Sequence, residues 1–314
     1  MPGLVGFTSG YSFVLWLVFA GTFVTFAFYR LQYLDFYGTF CSEVPKSKFN
    51  HAAPGECFYF LQQPYKAGII THLVFVLPSA ILSTLQFTPA IRQQYTEFHR
   101  LNGYVILAMS IISTFAVFVV IPVSFGGGSG VILSISALAI SHLWALYKAY
   151  FNIRLGRIHE HRAWMIRAWF WAGTIITQRI IQIVTLKAFN PNPQYYPMPC
   201  DKINSILGDR TLSLYPVCES FYTGESPYQR ALVRADLKHP KSAAEAAAGL
   251  DSVFAFATTL AFLIHLIGVE IYLHLTREDS QRLRRLSYFN RQRQAGGEGP
   301  RTSNSRLNTR RRRR

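Results

Sequence analysis

The sequence predicts an all-α fold: a polytopic transmembrane helical bundle with six spans and both chain ends in the cytosol. Three observations lead there. The 314 residues are 50% apolar and only 15% charged, near the limit of what a soluble domain carries. The charges gather in a few connecting stretches and leave long apolar runs between them, and a run of about eighteen or more such residues is long enough to cross a bilayer. Finally, the basic connections alternate with connections that carry the cysteines.

In chain order the predicted spans cover residues 11–29, 68–87, 103–123, 131–151, 164–189 and 252–275. Trp16, Tyr29, Tyr104, Tyr147, Trp164 and Tyr272 fall near their ends, where amphipathic rings settle at the membrane interface. Pro78 and Pro122 would weaken a soluble helix. Neighbouring helices re-satisfy the backbone around them in a membrane. The first run resembles a signal peptide in position only, since no Lys or Arg precedes it and no small-residue cleavage site follows before Arg30.

Six spans put residues 88–102 and 152–163 on the same side as both termini, with Arg92, Arg100, Arg154, Arg157, Arg162 and the tail from Arg277. The opposite loops, 30–66 and 190–251, are nearly balanced in charge. The excess of arginine therefore places the termini in the cytosol, in a secretory-pathway or plasma membrane. All four cysteines, Cys41, Cys57, Cys200 and Cys218, lie in the two opposite loops. An oxidising compartment there allows two disulfides in any of three connectivities, of which pairing within each loop is the simplest. No CxxC spacing supports a zinc site, so no metal is expected. Neither loop contains an Asn-x-Ser/Thr acceptor.

The loop from Asn190 opens with PNPQYYPMP, an extended run because proline fixes its own backbone and restricts its neighbour. Ser226-Pro227 reads as a helix start, and Ser242-Ala-Ala-Glu245 as a capping box ahead of the last helix. At this length the loop is expected to fold as a lid on the bundle. Residues 276–314 read as a disordered, arginine-rich cytosolic tail outside the membrane domain of residues 1–275. The net charge of +16 then points to anionic lipid before any specific nucleic acid. Arg284-Arg285-Leu286-Ser287 has the form of a basophilic kinase site, which would place phosphate on Ser287.

Candidate chemistry belongs to the few ionisable residues in or beside the spans, because lipid is a costly place for charge. His72, His142 and His265 lie in the second, fourth and sixth spans, and Arg179 in the fifth beside Gln178 and Gln182. Counting ~1.5 Å per residue puts His142, Arg179 and His265 at roughly 15–20 Å depth, where they could meet. Arg167 and Glu270 reach a similar level nearer the cytosol. An internal repeat is suggested by Thr71-His72-Leu73 and Ser141-His142-Leu143, each followed by a helix opening with Glu and then His-Arg, although the His-to-His spacings are 27 and 19.

Two of these segments, His99-Arg100-Leu101-Asn102-Gly103-Tyr104 and His161-Arg162-Ala163-Trp164-Met165-Ile166-Arg167, resemble the HRxxGxxY-like and HRxWMxR signatures of a domain-of-unknown-function family of predicted membrane proteins in bacteria and fungi. Tyr104 follows the glycine directly, a departure from the first signature, and Arg179 fits the family pattern. The resemblance spans roughly residues 68–189 and implies a polytopic bundle, with no established activity.

Paired histidines on different helices at one depth, with cations for the propionates, are the requirements of a b-type haem. His99 with His161, flanked by Arg100 and Arg162, is the expected first site of a transmembrane electron-transfer protein. His142 with His265 or His72, near Arg179, is a second. Interfacial anchoring and packing account for the same residues without a cofactor. A transporter or membrane enzyme holding a lipid-like or anionic substrate at Arg179 is the remaining alternative. No phosphate loop, HExxH or serine nucleophile elbow is present.

Overall fold

A computed structural model describes Gly6, residues 10–42, 51–188 and 194–277, and positions 281, 283–285, 287, 288 and 292. Most of the arginine-rich tail expected to be disordered lies outside the described residues. The chain is predominantly helical: α1 (Gly10–Arg30), α2 (Glu56–Phe60), α3 (Tyr65–Gln86), α4 (Pro89–Gln94), α5 (Thr96–Val120), α6 (Ser129–Arg154), α7 (Ile158–Ala172) and α8 (Thr174–Ala188) precede a strand, β1 (Tyr195–Pro199). Then come α9 (Cys200–Leu207), α10 (Thr211–Leu214), α11 (Glu219–Tyr222), β2 (Arg230–Arg234) and the long α12 (Ala243–Leu275).

Among the described residues, five helices are long and apolar enough to cross a membrane: 10–34, 65–86, 96–120, 129–154 and 243–275. The expected span 164–189 is not one helix but two, α7 and α8, parted at Gly173. Glycine is the weakest helix former short of proline, and here a second cause acts on the backbone. His265 Nδ1 donates to the Phe170 carbonyl, the acceptor that an unbroken helix would offer to residue 174. A side chain inserted into the helical ladder is a known cause of a break. Gly173 makes room for it, since a Cβ there would come within 3.3 Å of His265 Cε1.

The bundle is two hairpins and a central helix. In the first, α3 and α5 are bridged along their length: His72 Nδ1 lies 2.9 Å from Ser113 Oγ, Asn102 Nδ2 donates to Leu82 O at 3.3 Å, and Gln86 Nε2 donates to His99 O at 3.0 Å. In the second, α6 and α7 are joined by His142 Nδ1 to Ala168 O at 3.0 Å and His161 Nδ1 to Ala149 O at 2.9 Å. The central α12 packs on α6, α7 and α8. Arg167 of α7 grips Glu270 of α12 with two bonds, Nε to Oε1 at 2.6 Å and Nη2 to Oε2 at 2.9 Å. α1 lies outside on α3, and its Phe19 and Phe23 rings meet Phe170 and Trp169 at 4.3 and 6.0 Å.

Both cysteine-bearing segments cover one end of the bundle, the lid end; the opposite end, where α5 and α7 begin, is the tail end. Disulfides Cys41–Cys57 and Cys200–Cys218 close within each segment, as the simplest pairing has it. The first lobe packs Phe36, Phe40 and Phe60 on Ile69, Leu73 and Leu77 of α3. The second contains a feature that corrects the all-α expectation: β1 pairs antiparallel with β2, from Tyr195 opposite Arg234 to Pro199 opposite Arg230. Prolines are tolerated in β1 because a two-stranded ladder has only edge strands. Ser226-Pro227 opens no helix but belongs to the turn before β2, in which Gln229 N donates to Ser226 O.

Helix α12 begins at Ala243, directly after the expected cap Ser242 and nine residues ahead of the span expected from 252; its first turns bury Ala244, Ala247 and Ala248 in the core of the second lobe with Met198, Ile203 and Val233. Ser242 caps it through the Glu245 amide, while the Glu245 carboxylate takes the Lys241 amide at 2.7 Å instead of the Ser242 amide of a regular capping box.

Candidate functional site

The histidines differ in what their second ring nitrogen can do. A carbonyl only accepts, so His142, bonded to Ala168 O, and His161, bonded to Ala149 O, carry their proton on Nδ1 and leave Nε2 with a lone pair. His72 is held through Nδ1 by Ser113 in the same manner. His265 is not a free ligand: Nδ1 donates to Phe170 O and Nε2 accepts from the Thr177 hydroxyl at 2.8 Å. With both ring nitrogens so engaged, His265 locks α7 and α8 onto α12.

The interhelical bonds also fix relative depth. On α5, His99 and Ser113, the partner of His72, are fourteen residues apart, roughly 21 Å along the axis. On α7, His161 and Ala168, the partner of His142, are seven apart, roughly 10 Å. With His99 and His161 level at the tail end, His72 and His142 miss each other by about 10 Å.

His99 and His161 lie in the first turns of α5 and α7, both of which begin at the tail end. Arg92 of α4 acts on both. It was missed as a site residue because nothing in its local sequence marks it. Of the arginines expected beside the pair, Arg100 is exposed and Arg162 reaches Thr276 Oγ1 at 3.4 Å. His99 Nδ1 is buried and makes no hydrogen bond. Among the described residues no group of three or more His, Cys, Asp or Glu side chains converges as for a protein-held metal ion. Close by, Ser287 is fully buried, its hydroxyl donating to Leu283 O at 2.9 Å and lying 3.3 Å from His159 Nδ1.

The lid end holds a charged cluster that no sequence pattern marked. Lys202 of α9 projects Nζ to Asp251 Oδ2 of α12 at 2.9 Å and to Glu56 Oε1 of α2 at 3.4 Å. All three are buried. The Glu56 carboxylate also accepts from the Phe125 amide, at 3.1 and 3.2 Å to its two oxygens. One ammonium cannot neutralise two carboxylates out of water. Burial raises the Glu56 carboxyl, Lys202 draws it down, Asp251 pushes it up again, and it rests at about 7. Burial alone would lower the Lys202 ammonium, but Asp251 and Glu56 together hold it above its ordinary value.

Phe125 joins this cluster to Arg179. Its backbone is left-handed, φ 48°, the one such non-glycine position among the described residues and a strained one for an aromatic residue. Its ring stacks on Phe254 at 4.1 Å and carries the Arg179 guanidinium on its face at 4.7 Å. Gly126 has to lack a side chain, because the Tyr196 hydroxyl of β1 occupies the place of a Cβ. Arg179 Nη1 donates to Gln182 Oε1 at 3.1 Å. The guanidinium thus lies beside Phe254, eleven residues from His265 along α12, roughly 16 Å, while Thr177 on the same helix as Arg179 bonds His265.

Residues 69–198 match the model of a family described as predicted membrane protein (DUF2306), a stretch that contains both His-Arg segments. No curated protein and no solved structure matches the chain.

Proposed function

We propose that this membrane protein is a b-type haem protein of electron transfer, in which His99 and His161 would hold the haem at a cytosolic tail end. The observation that carries the reading is that His99 and His161 each stand in the first turn of a helix, α5 and α7, that begins at the tail end. Ala149 O keeps the His161 proton on Nδ1 and so leaves Nε2 to ligate, the arrangement in which an outer partner orients a metal-bound histidine. Axial ligation takes two imidazoles, and so does not require a larger cluster of donors. Arg92, whose charge acts on both rings, joins Arg100 and Arg162 as a cation that could pair a propionate. A haem bound there would supply a one-electron couple at the membrane face. Second-site ligation by His72 and His142 is disfavoured by the offset in depth, and by His265 because Thr177 occupies its Nε2.

In the same reading α7 and α8 together make the sixth crossing, the disulfide-bearing lid faces the lumen or cell exterior of a secretory-pathway or plasma membrane, and the arginines of the tail end contact anionic lipid. A kinase reaching Ser287 would first have to lift it from His159. Purified wild-type chain, expressed with ample haem, is expected to show a Soret band that shifts on dithionite reduction. A second reading has its own observation: His72, His142, His161 and His265 each hydrogen-bond a neighbouring helix. In it the histidines only fasten the bundle, and haem-supplied protein shows no Soret band.

A further inference from the structure

Arg179 and its neighbour Gln178 keep hydrogen-bonding capacity that the protein leaves unused. We propose that the guanidinium of Arg179, in the middle of α8, is a binding site for an oxyanion, a phosphate or carboxylate, received beneath the lid. This site is independent of any haem at the tail end.

Arginine cannot shed its charge in a protein, and a guanidinium has five N–H donors. Here it makes one hydrogen bond, to Gln182 Oε1 at 3.1 Å, and that same oxygen already accepts from Gln178 Nε2 at 3.0 Å. Its other contacts are the faces of Phe125 and Phe254, at 4.7 and 5.7 Å. Cation–π contact contributes about 0.5–2 kcal/mol, short of the solvation that a half-buried arginine at membrane depth gives up. No carboxylate lies within ion-pair distance among the described residues. Glu56 acts on it only at longer range and is committed to Lys202 and the Phe125 amide.

A second cation, Arg30 at the end of α1, stands in electrostatic range and increases the local positive potential. Separately, Gln178 is fully buried and its Oε1 has no hydrogen-bond partner. An acceptor in need of a donor, next to a guanidinium in need of acceptors, matches an oxyanion that also carries a hydroxyl, such as hydrogen phosphate or a phosphoglycerol headgroup. The planar fork of Arg179 suits two oxygens of such a group. A lipid headgroup and a free anion from the lid side offer the same chemistry.

The test uses the full chain, delipidated in a phosphate-free maltoside detergent, with the thermal midpoint followed during titration with inorganic phosphate and, separately, with mixed micelles containing phosphatidylglycerol. The wild type is expected to gain several degrees. A gain from phosphate alone assigns a soluble anion, and a gain from phosphatidylglycerol alone assigns a headgroup. Arg179→Gln should abolish the gain. Arg179→Lys, which keeps the charge and loses the fork, should weaken apparent affinity at least tenfold and serves if the glutamine variant does not fold. No gain for the wild type with either probe, or undiminished affinity in Arg179→Lys and Arg179→Gln, would overturn the proposal.

Discussion

The lid-end cluster around Lys202 and the tail-end pair of histidines are both polar groups withdrawn from water, yet they are completed to different degrees. Around Lys202 each charged group has a hydrogen-bond partner, although one ammonium faces two carboxylates: Lys202 bonds Asp251 and Glu56, and Glu56 also takes a backbone amide, with a disulfide on either side. At the tail end, His161 uses one ring nitrogen and leaves the other, and His99 has a buried nitrogen with no partner at all. A completed network holds two lobes and α12 together. An incomplete one is where a ligand has something to add.

The largest effect expected from breaking this contrast is at Lys202. Lys202→Met leaves two buried carboxylates without their cation and should destabilise the chain by about 3–5 kcal/mol, read as a fall in thermal midpoint together with protease cleavage in the lid. Adding Glu56→Gln and Asp251→Asn should recover much of the loss; no recovery would mean that Lys202 acts through packing of its stem. Next comes Cys200→Ser. Its disulfide closes a separation of 18 residues, and loss of a loop of that order is worth roughly 3 kcal/mol in the chain-entropy account. The damage should concentrate in the second lobe, leaving α3 and α5 protected from hydrogen exchange.

A smaller effect concerns pH. The folded Glu56 carboxyl titrates at about 7 against an ordinary 4.5, so the native state holds the proton more tightly than the unfolded chain. Its contribution to stability is fully present below about pH 4.5 and is lost as pH rises toward 7, with a slope of at most ~1.4 kcal/mol per pH unit. Glu56→Gln should flatten that slope. An unchanged pH profile in the glutamine variant would remove Glu56 as its origin. Smallest is Glu270→Gln at the Arg167 clasp: its carboxylate is 56% exposed, so the change should cost about 1 kcal/mol or less by thermal denaturation.

How much of this was legible in the sequence depends on the range over which each feature is decided. The apolar helices were, because length and composition alone determine whether a segment crosses lipid. The two disulfides were, because the cysteines segregate into two loops with close spacing. The break at Gly173 was not: hydropathy runs unbroken through it, and the imidazole that takes the Phe170 carbonyl comes from a residue 95 positions away. Nor was the lid cluster, whose lysine meets carboxylates 146 and 49 residues distant from segments that look like ordinary loop. The β ladder was hidden by Pro197 and Pro199, which argue for an extended run but say nothing about the partner strand. At the candidate site the sequence pointed to His99 and His161, while Arg92, the cation that reaches both, is set by how α4 folds back on α5.

The central claim is that incompleteness at the tail end marks a cofactor site, and the most direct test is haem content per chain in single histidine variants purified with their lid disulfides intact. His99→Ala and His161→Ala should each lose the low-spin Soret band while still inserting into the membrane, and His72→Ala, His142→Ala and His265→Ala should retain it. A wild-type chain without bound haem, or a band that survives the loss of His99 or His161, would contradict the account.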